Sequence, residues 1–222
     1  MLAGYDRRID AIAPVITWND LAQALFPNAA TTDALPEDTP ARGAFAPNGV
    51  FKRGWAGVFF ASGRTAQPPP GTVLTCGRFI PAVCAAYTEA ATTGRISPAT
   101  AALLARSSPA SITDRITAPT LLVQGEQDTL FGLDQADANA RQIAAHGTPV
   151  KVTWYAGGHD GGGPDQAVRD QIGDWFGTWL AGRQSDGLAP DLTFSYSVQS
   201  GVRAGPNTPT GRTVVAPDYP GL

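Results

Sequence analysis

The stretch that decides the fold runs from Pro119 to Gly163, PTLLVQGEQDTLFGLDQADANARQIAAHGTPVKVTWYAGGHDGGG. Thr120–Gln124 is an apolar run without alternation, the pattern of a strand buried on both faces. Leu133, Ala136, Ala140, Ile143 and Ala144 then fall at helical spacing, and Gly147 closes the helix. Val150–Tyr155 predicts the next strand, followed by a glycine-rich loop. Strand, helix and strand of these lengths require a parallel crossover, which is right-handed, and so an open α/β sheet.

Outward from this unit, Pro164 opens a further helix that places Val168, Ile172, Trp175, Phe176, Trp179 and Leu180 on one face, with Gly182 at its end. Past Arg183 the texture changes, and alternation at Leu192, Phe194, Tyr196 and Val198 predicts a strand that opens a β-rich module. Upstream, residues 1–10 read as a helix end with Gly4 as its C-cap, and IDAIAPVITW (Ile9–Trp18) as a buried parallel strand that needs neighbours on both sides.

Between Asn19 and Thr113 no strand pattern occurs. WNDLAQAL, Phe51–Ser62, Phe79–Thr93 and a segment opening at Ser97-Pro98 predict helices. Pro27–Pro47 and QPPPG (Gln67–Gly71) predict irregular loops. The economical organisation is a core strand segment over 1–18, a helical cap or lid inserted over 19–113, the rest of the α/β core over 114–183, and a linker with the start of a β-rich module over 184–222.

Composition excludes several classes. A net charge of -3, with 16 Lys and Arg residues scattered along the chain, offers no field for polyanions, so nucleic acid is not an expected partner. No apolar run reaches the roughly 18–20 residues needed to cross a bilayer, and MLAGYDRRID lacks a signal-peptide pattern, so no membrane association is expected. Two His and two Cys cannot supply a zinc-type ligand set at the usual spacings, and no cofactor is expected. Cys76 and Cys84 could pair, but the preferred reading is two small buried hydrophobes.

Asp128 lies four residues after Gln124, and His159 four after Tyr155. Reactive groups of open parallel sheets collect beyond the carboxyl ends of the strands, so both emerge at one rim. There a carboxylate can fix the imidazole tautomer through Nδ1 and leave Nε2 to take a proton from a nucleophile. Either residue alone would be an ordinary loop residue. The order acid then histidine, each after a buried strand with one helix between, is the order of a nucleophile-elbow hydrolase.

PTLLVQGEQDTLF and GTPVKVTWYAGGHDG, with RIDAIAPVITWNDL, SSPAS (Ser107–Ser111) and DWFGTWL, resemble the C-terminal half of an α/β-hydrolase of the Xaa-Pro dipeptidyl-peptidase and cocaine-esterase-like group. The resemblance covers most of residues 1 to about 183. It implies a helical cap before the acid strand, a jelly-roll-like domain after the last helix, Asp128 as triad acid and His159 as base. It further implies hydrolysis of a peptide or ester bond in a small-molecule or peptide substrate.

The nucleophile does not follow. No serine stands in a G-x-S-x-G setting: Ser62 lies in FASGR, Ser107 and Ser108 follow a helix, and Ser195, Ser197 and Ser200 belong to the tail. In the family that serine precedes the strand resembling IDAIAPVITW, so the expectation is a fragment whose serine lies just upstream of Met1. The alternative is a non-catalytic remnant of the fold that binds a ligand or partner. Trp18 and Phe131, each past a strand end, are candidate walls of a substrate pocket. His146 reads as a helix-end histidine and Asp160 as a solvated neighbour of His159.

Overall fold

The computed structural model describes residues 1–27, 49–65, 78–181, 190–199 and 211–222. Two compact units emerge, one from Met1–Asn19 with Ser108–Leu222 and one from Asp20–Ser107.

The first unit is mixed α/β. Strand β1 (Thr120–Gly125) pairs in parallel with β2 (Val150–Tyr155), in register from Thr120 opposite Val150 to Gly125 opposite Tyr155. Helix α5 (Leu133–Ala144) makes the crossover, and α6 (Gln166–Leu180) follows β2. The continuous apolar run of β1 is explained by burial on both sides. Leu122 packs with Ala140, Ile143, Val150 and Val152 on one face, while Leu121 and Val123 pack with Tyr155, Val168 and Trp175 on the other. Each of the Leu, Ile and Val side chains among them contributes about 1.5–3 kcal/mol on leaving water. Helix α6 begins two residues after the predicted Pro164, because the Asp165 carboxylate accepts from the Val168 amide at 3.0 Å and caps the helix. Gly182 lies outside the described residues.

The strand signalled by the alternation from Leu192 to Val198 is present as β3 (Phe194–Gln199), and β4 (Gly211–Ala216), which no sequence pattern singled out, pairs with it antiparallel. They continue the same sheet, in the order β1-β2-β3-β4, through a parallel pairing of Ser195 with Thr153.

Two upstream expectations are corrected. Ile9–Trp18 is not a regular strand: it touches β1 through parallel bridges at Ile12–Thr120 and Val15–Val123. Pro14 has no N–H for a ladder, and Ile16 adopts φ 44, a left-handed conformation that interrupts the extended chain. The chain start is a short 3-10 turn, Leu2–Gly4, capped by Tyr5 rather than Gly4. Gly4 serves close packing instead, since a Cβ there would lie 2.7 Å from Ile112 Cδ1.

The second unit is helical: α1 (Leu21–Leu25), α2 (Arg53–Thr65), α3 (Pro81–Thr93) and α4 (Pro98–Ala105). Ser97 caps α4 where the sequence pattern placed it, and Asp20 caps α1, which begins at Leu21 and so three residues after the start of WNDLAQAL. Phe60 stacks on Phe79 and Tyr87, with ring centroids 4.9 and 3.9 Å away. The predicted loops fall largely on residues 28–48 and 66–77, outside the described residues. The reading of Cys84 as a free buried hydrophobe is corrected: it is half-buried in the first turn of α3 and disulfide-bonded. Cys76, the only other cysteine of the sequence, lies outside the described residues.

One ionic contact secures β3 to β2. The Lys151 side chain, 9% exposed, donates from Nζ to Asp191 Oδ2 at 2.5 Å, whereas Asp191 is 66% exposed. Burial pushes the Asp191 carboxyl up, but the Lys151 contact and hydrogen bonds from Thr193 outweigh it and hold it below the usual range. A depressed carboxyl contributes stability above the ordinary value of about 3.9, and loses it as pH falls through the lower folded value. Asp191→Asn is therefore expected to destabilise by about 1–3 kcal/mol at pH 7, by weakening the pairing of a buried ammonium. Lys151→Met should cost less, because Asp191 can be solvated. Urea unfolding at pH 7 and again well below the usual carboxylate range, where Asp191 is protonated in the folded chain too, checks this; equal losses for both variants, or a loss for Asp191→Asn undiminished in that acid range, would contradict it.

Candidate active site

Asp128 and His159 lie past the carboxyl ends of β1 and β2, and the parallel register brings the two loops side by side. His159 Nδ1 stands 2.7 Å from Asp128 Oδ2, and the His159 amide donates to the same oxygen at 3.1 Å. Asp128 Oδ1 accepts from the amides of Leu130 and Phe131 at 2.9 and 2.8 Å. The Asp128 side chain is fully buried, and the His159 side chain 25% exposed. Four N–H groups thus converge on one carboxylate, the full acceptor capacity of two ionised oxygens. With Nδ1–H donated to that carboxylate, the neutral ring carries its acceptor lone pair on Nε2, the arrangement of a general base.

Glycine permits the approach. Gly158 has φ 147, and a Cβ there would lie 2.6 Å from both Cα and Cβ of Asp128. Its amide donates to Gly162 O at 2.9 Å, curling the GGHDGGG loop back on itself.

Three further sets of contacts anchor these loops. Gln124, buried in β1, donates from Nε2 to Phe131 O at 2.7 Å. Asp160 bridges the loops, its carboxylate accepting from the Thr129 amide at 3.1 Å and the Thr129 hydroxyl at 2.6 Å. Burial pushes the Asp160 carboxyl up, but the Thr129 hydrogen bonds hold it below the usual range. Asp160 is thus exposed, as expected, and also bonded. Glu126 Oε1 accepts from the Ser197 amide of β3 at 2.7 Å; burial raises the Glu126 carboxyl, and this hydrogen bond partly offsets it. The Tyr155 hydroxyl is buried and has no hydrogen-bond partner among the described residues, and burial together with the Asp128 charge raises its pKa.

Both predicted pocket residues lie beside the histidine. The Phe131 ring meets the His159 ring edge-on at 5.2 Å, and Trp18 lies 5.2 Å from Phe131. Trp18 is held by a buried amide network: Asn139 Nδ2 donates to Trp18 O at 3.1 Å, and Asn19 Nδ2 to Asn139 Oδ1 at 2.9 Å and Gln142 Oε1 at 2.8 Å. His146 is exposed at the end of α5, apart from this cluster in sequence and setting. Sequence reasoning missed Gln124, Glu126, Thr129 and Ser197. A polar Gln inside an apolar strand was the one available signal; the others act through contacts distant in sequence.

No protein-family model matches this sequence, and no curated protein matches it. Among solved structures, the crystal structure of esterase E22 is similar at 14% sequence identity and a TM-score of 0.32, over 83% of this chain. The chain spans 55% of the length of that structure.

The loop glycines make separable predictions. Gly158→Ala forces a Cβ onto Asp128 and is expected to cost about 1–3 kcal/mol. Gly163→Ala meets nothing within 4 Å and should be close to neutral. Thermal unfolding of the two variants distinguishes them, and equal melting temperatures would contradict the close approach.

Proposed function

We propose that this chain carries the acid and base of a serine hydrolase of the α/β-hydrolase type, in the Xaa-Pro dipeptidyl-peptidase and cocaine-esterase-like group. The observation that carries the proposal is the 2.7 Å contact of His159 Nδ1 with the buried Asp128 carboxylate, at adjacent parallel strand ends. The nucleophile in this reading is a serine preceding Met1, since no serine of the sequence has a nucleophile-elbow setting. In this reading the β-rich C-terminal segment begins with β3 and β4, strands that extend the core sheet itself.

The chemistry is acyl transfer. His159 Nε2 removes the serine hydroxyl proton as the serine oxygen bonds to the ester or amide carbonyl carbon. Asp128 stabilises the imidazolium without taking its proton. The imidazolium protonates the leaving alcohol or amine as its bond to carbon breaks. Water, deprotonated by His159, then releases the acid and regenerates the serine. Phe131 and Trp18 fit an apolar wall beside the reacting carbon.

The test is steady-state hydrolysis of activated acyl esters and Xaa-Pro anilides. The 222-residue chain is expected to be inactive, and a chain extended upstream through the serine to be active. In the extended chain His159→Ala should lower kcat/KM by at least about 10³-fold, and Asp128→Asn by about 10²–10⁴-fold. Turnover by the 222-residue chain itself would contradict the upstream nucleophile, and indifference to His159→Ala would contradict the proposed base.

A further inference from the structure

The two reactive loops are also joined through a third strand. Ser197, in β3, presents two groups to them. Its hydroxyl accepts from the Ala156 amide at 3.1 Å, at the root of the loop that carries His159. Its own amide donates to Glu126 Oε1 at 2.7 Å, at the root of the loop that carries Asp128. Ala156 is three residues before His159, and Glu126 two before Asp128. One residue therefore grips both arms of the acid-base pair just below the contact between them.

This grip does work that the sheet ladder cannot. β1 and β2 pair through Gly125 and Tyr155, and the Glu126 amide continues that ladder by donating to Tyr155 O at 2.9 Å. Among the described residues β3 pairs with β2 in ladder register at Thr153–Ser195, and beyond that point it reaches the rim through the hydroxyl and the amide of Ser197. The hydroxyl–hydroxyl contact of Ser195 with Thr153 at 3.2 Å lies one pleat lower on the same face. Ser197 is the next residue on that face and the one that reaches the loops.

We infer that Ser197, together with Glu126, is a positioning pair that sets the distance between Asp128 and His159 and so couples the docking of β3 to the acid-base site. Neither residue touches substrate in this scheme. They act through the backbones of Ala156 and Glu126, and the inference rests on the reading of Asp128 and His159 as acid and base. Loss of the Ser197 hydroxyl frees the Ala156 amide and lets the histidine loop shift relative to the acid loop. Loss of the Glu126 carboxylate frees the other arm. A carboxyl or amide oxygen serves equally as acceptor, so Glu126→Gln keeps the contact.

The test pairs isosteric variants. Ser197→Thr keeps the hydroxyl and Ser197→Val does not, and both are β-branched residues suited to a strand. Glu126→Gln and Glu126→Met form the second pair. The readout is the low-field Nδ1–H proton resonance of His159 in the 222-residue chain and its exchange rate with water, with exposed His146 as internal reference. Amide exchange in β1 and β2 is followed in the same samples. Ser197→Val and Glu126→Met are expected to speed Nδ1–H exchange at least tenfold with β1 and β2 protection unchanged, while Ser197→Thr and Glu126→Gln stay within about twofold of wild type. Equal exchange within each pair overturns the inference. Loss of β1 and β2 protection in Ser197→Val or Glu126→Met also overturns it, because the contact would then hold the sheet rather than the pair. None of these outcomes needs turnover, so failure of the hydrolase reading is seen separately in the kinetics.

Discussion

A carboxylate stripped of water has to be compensated on the spot, and Asp128 is such a carboxylate. The effective penalty for burying one charged group is several kcal/mol, and hydrogen bonds to a charged acceptor contribute about 1.5–3 kcal/mol each. Asp128 recovers the cost from four N–H donors: two from its own loop, and the amide and imidazole of His159. The charge thus acts as a nucleus around which two loops fold. Gly158 has no side chain because the histidine loop must pass within contact of Asp128 to supply its donors.

The sheet places those loops and the helices pay out its chain direction. Crossover through α5 makes β1 and β2 parallel, which puts both carboxyl ends, and so both loops, at one rim. Helix α6 covers one face through Val168 and Trp175, and α5 the other through Ala140 and Ile143. The C-terminal strands add to this frame rather than standing apart from it, tied by Lys151 to Asp191 at one end and by Ser197 at the other. The tail closes the same core: Tyr219 packs on Trp154 and Phe194, and its hydroxyl donates to Asp137 at 2.8 Å.

How much of this was legible in the sequence depends on the range of the interaction. TLLVQ and VKVTWY were readable as strands because continuous apolar character reports burial on both faces. Ser97 before Pro98 was readable as a helix start because capping is local. Asp128 and His159 were readable as a pair because chain order and strand ends fix their position. Ile9–Trp18 misled because its apolar run says nothing of the turn at Ile16. Ser197 and Glu126 were illegible because 71 residues separate them and neither residue type is unusual where it stands. Cys84 was misread because composition cannot distinguish a buried thiol from a bonded one.

The proposed hydrolase chemistry requires the Asp128–His159 pair to activate a nucleophilic serine. It is tested most directly by labelling the upstream-extended chain with an alkyl fluorophosphonate and locating the modified residue by peptide mass spectrometry. If the proposal holds, one serine is modified, in a G-x-S-x-G sequence upstream of residue 1, and the label is lost in His159→Ala. Modification of a serine within residues 1–222, or labelling that persists unchanged in His159→Ala, would contradict it.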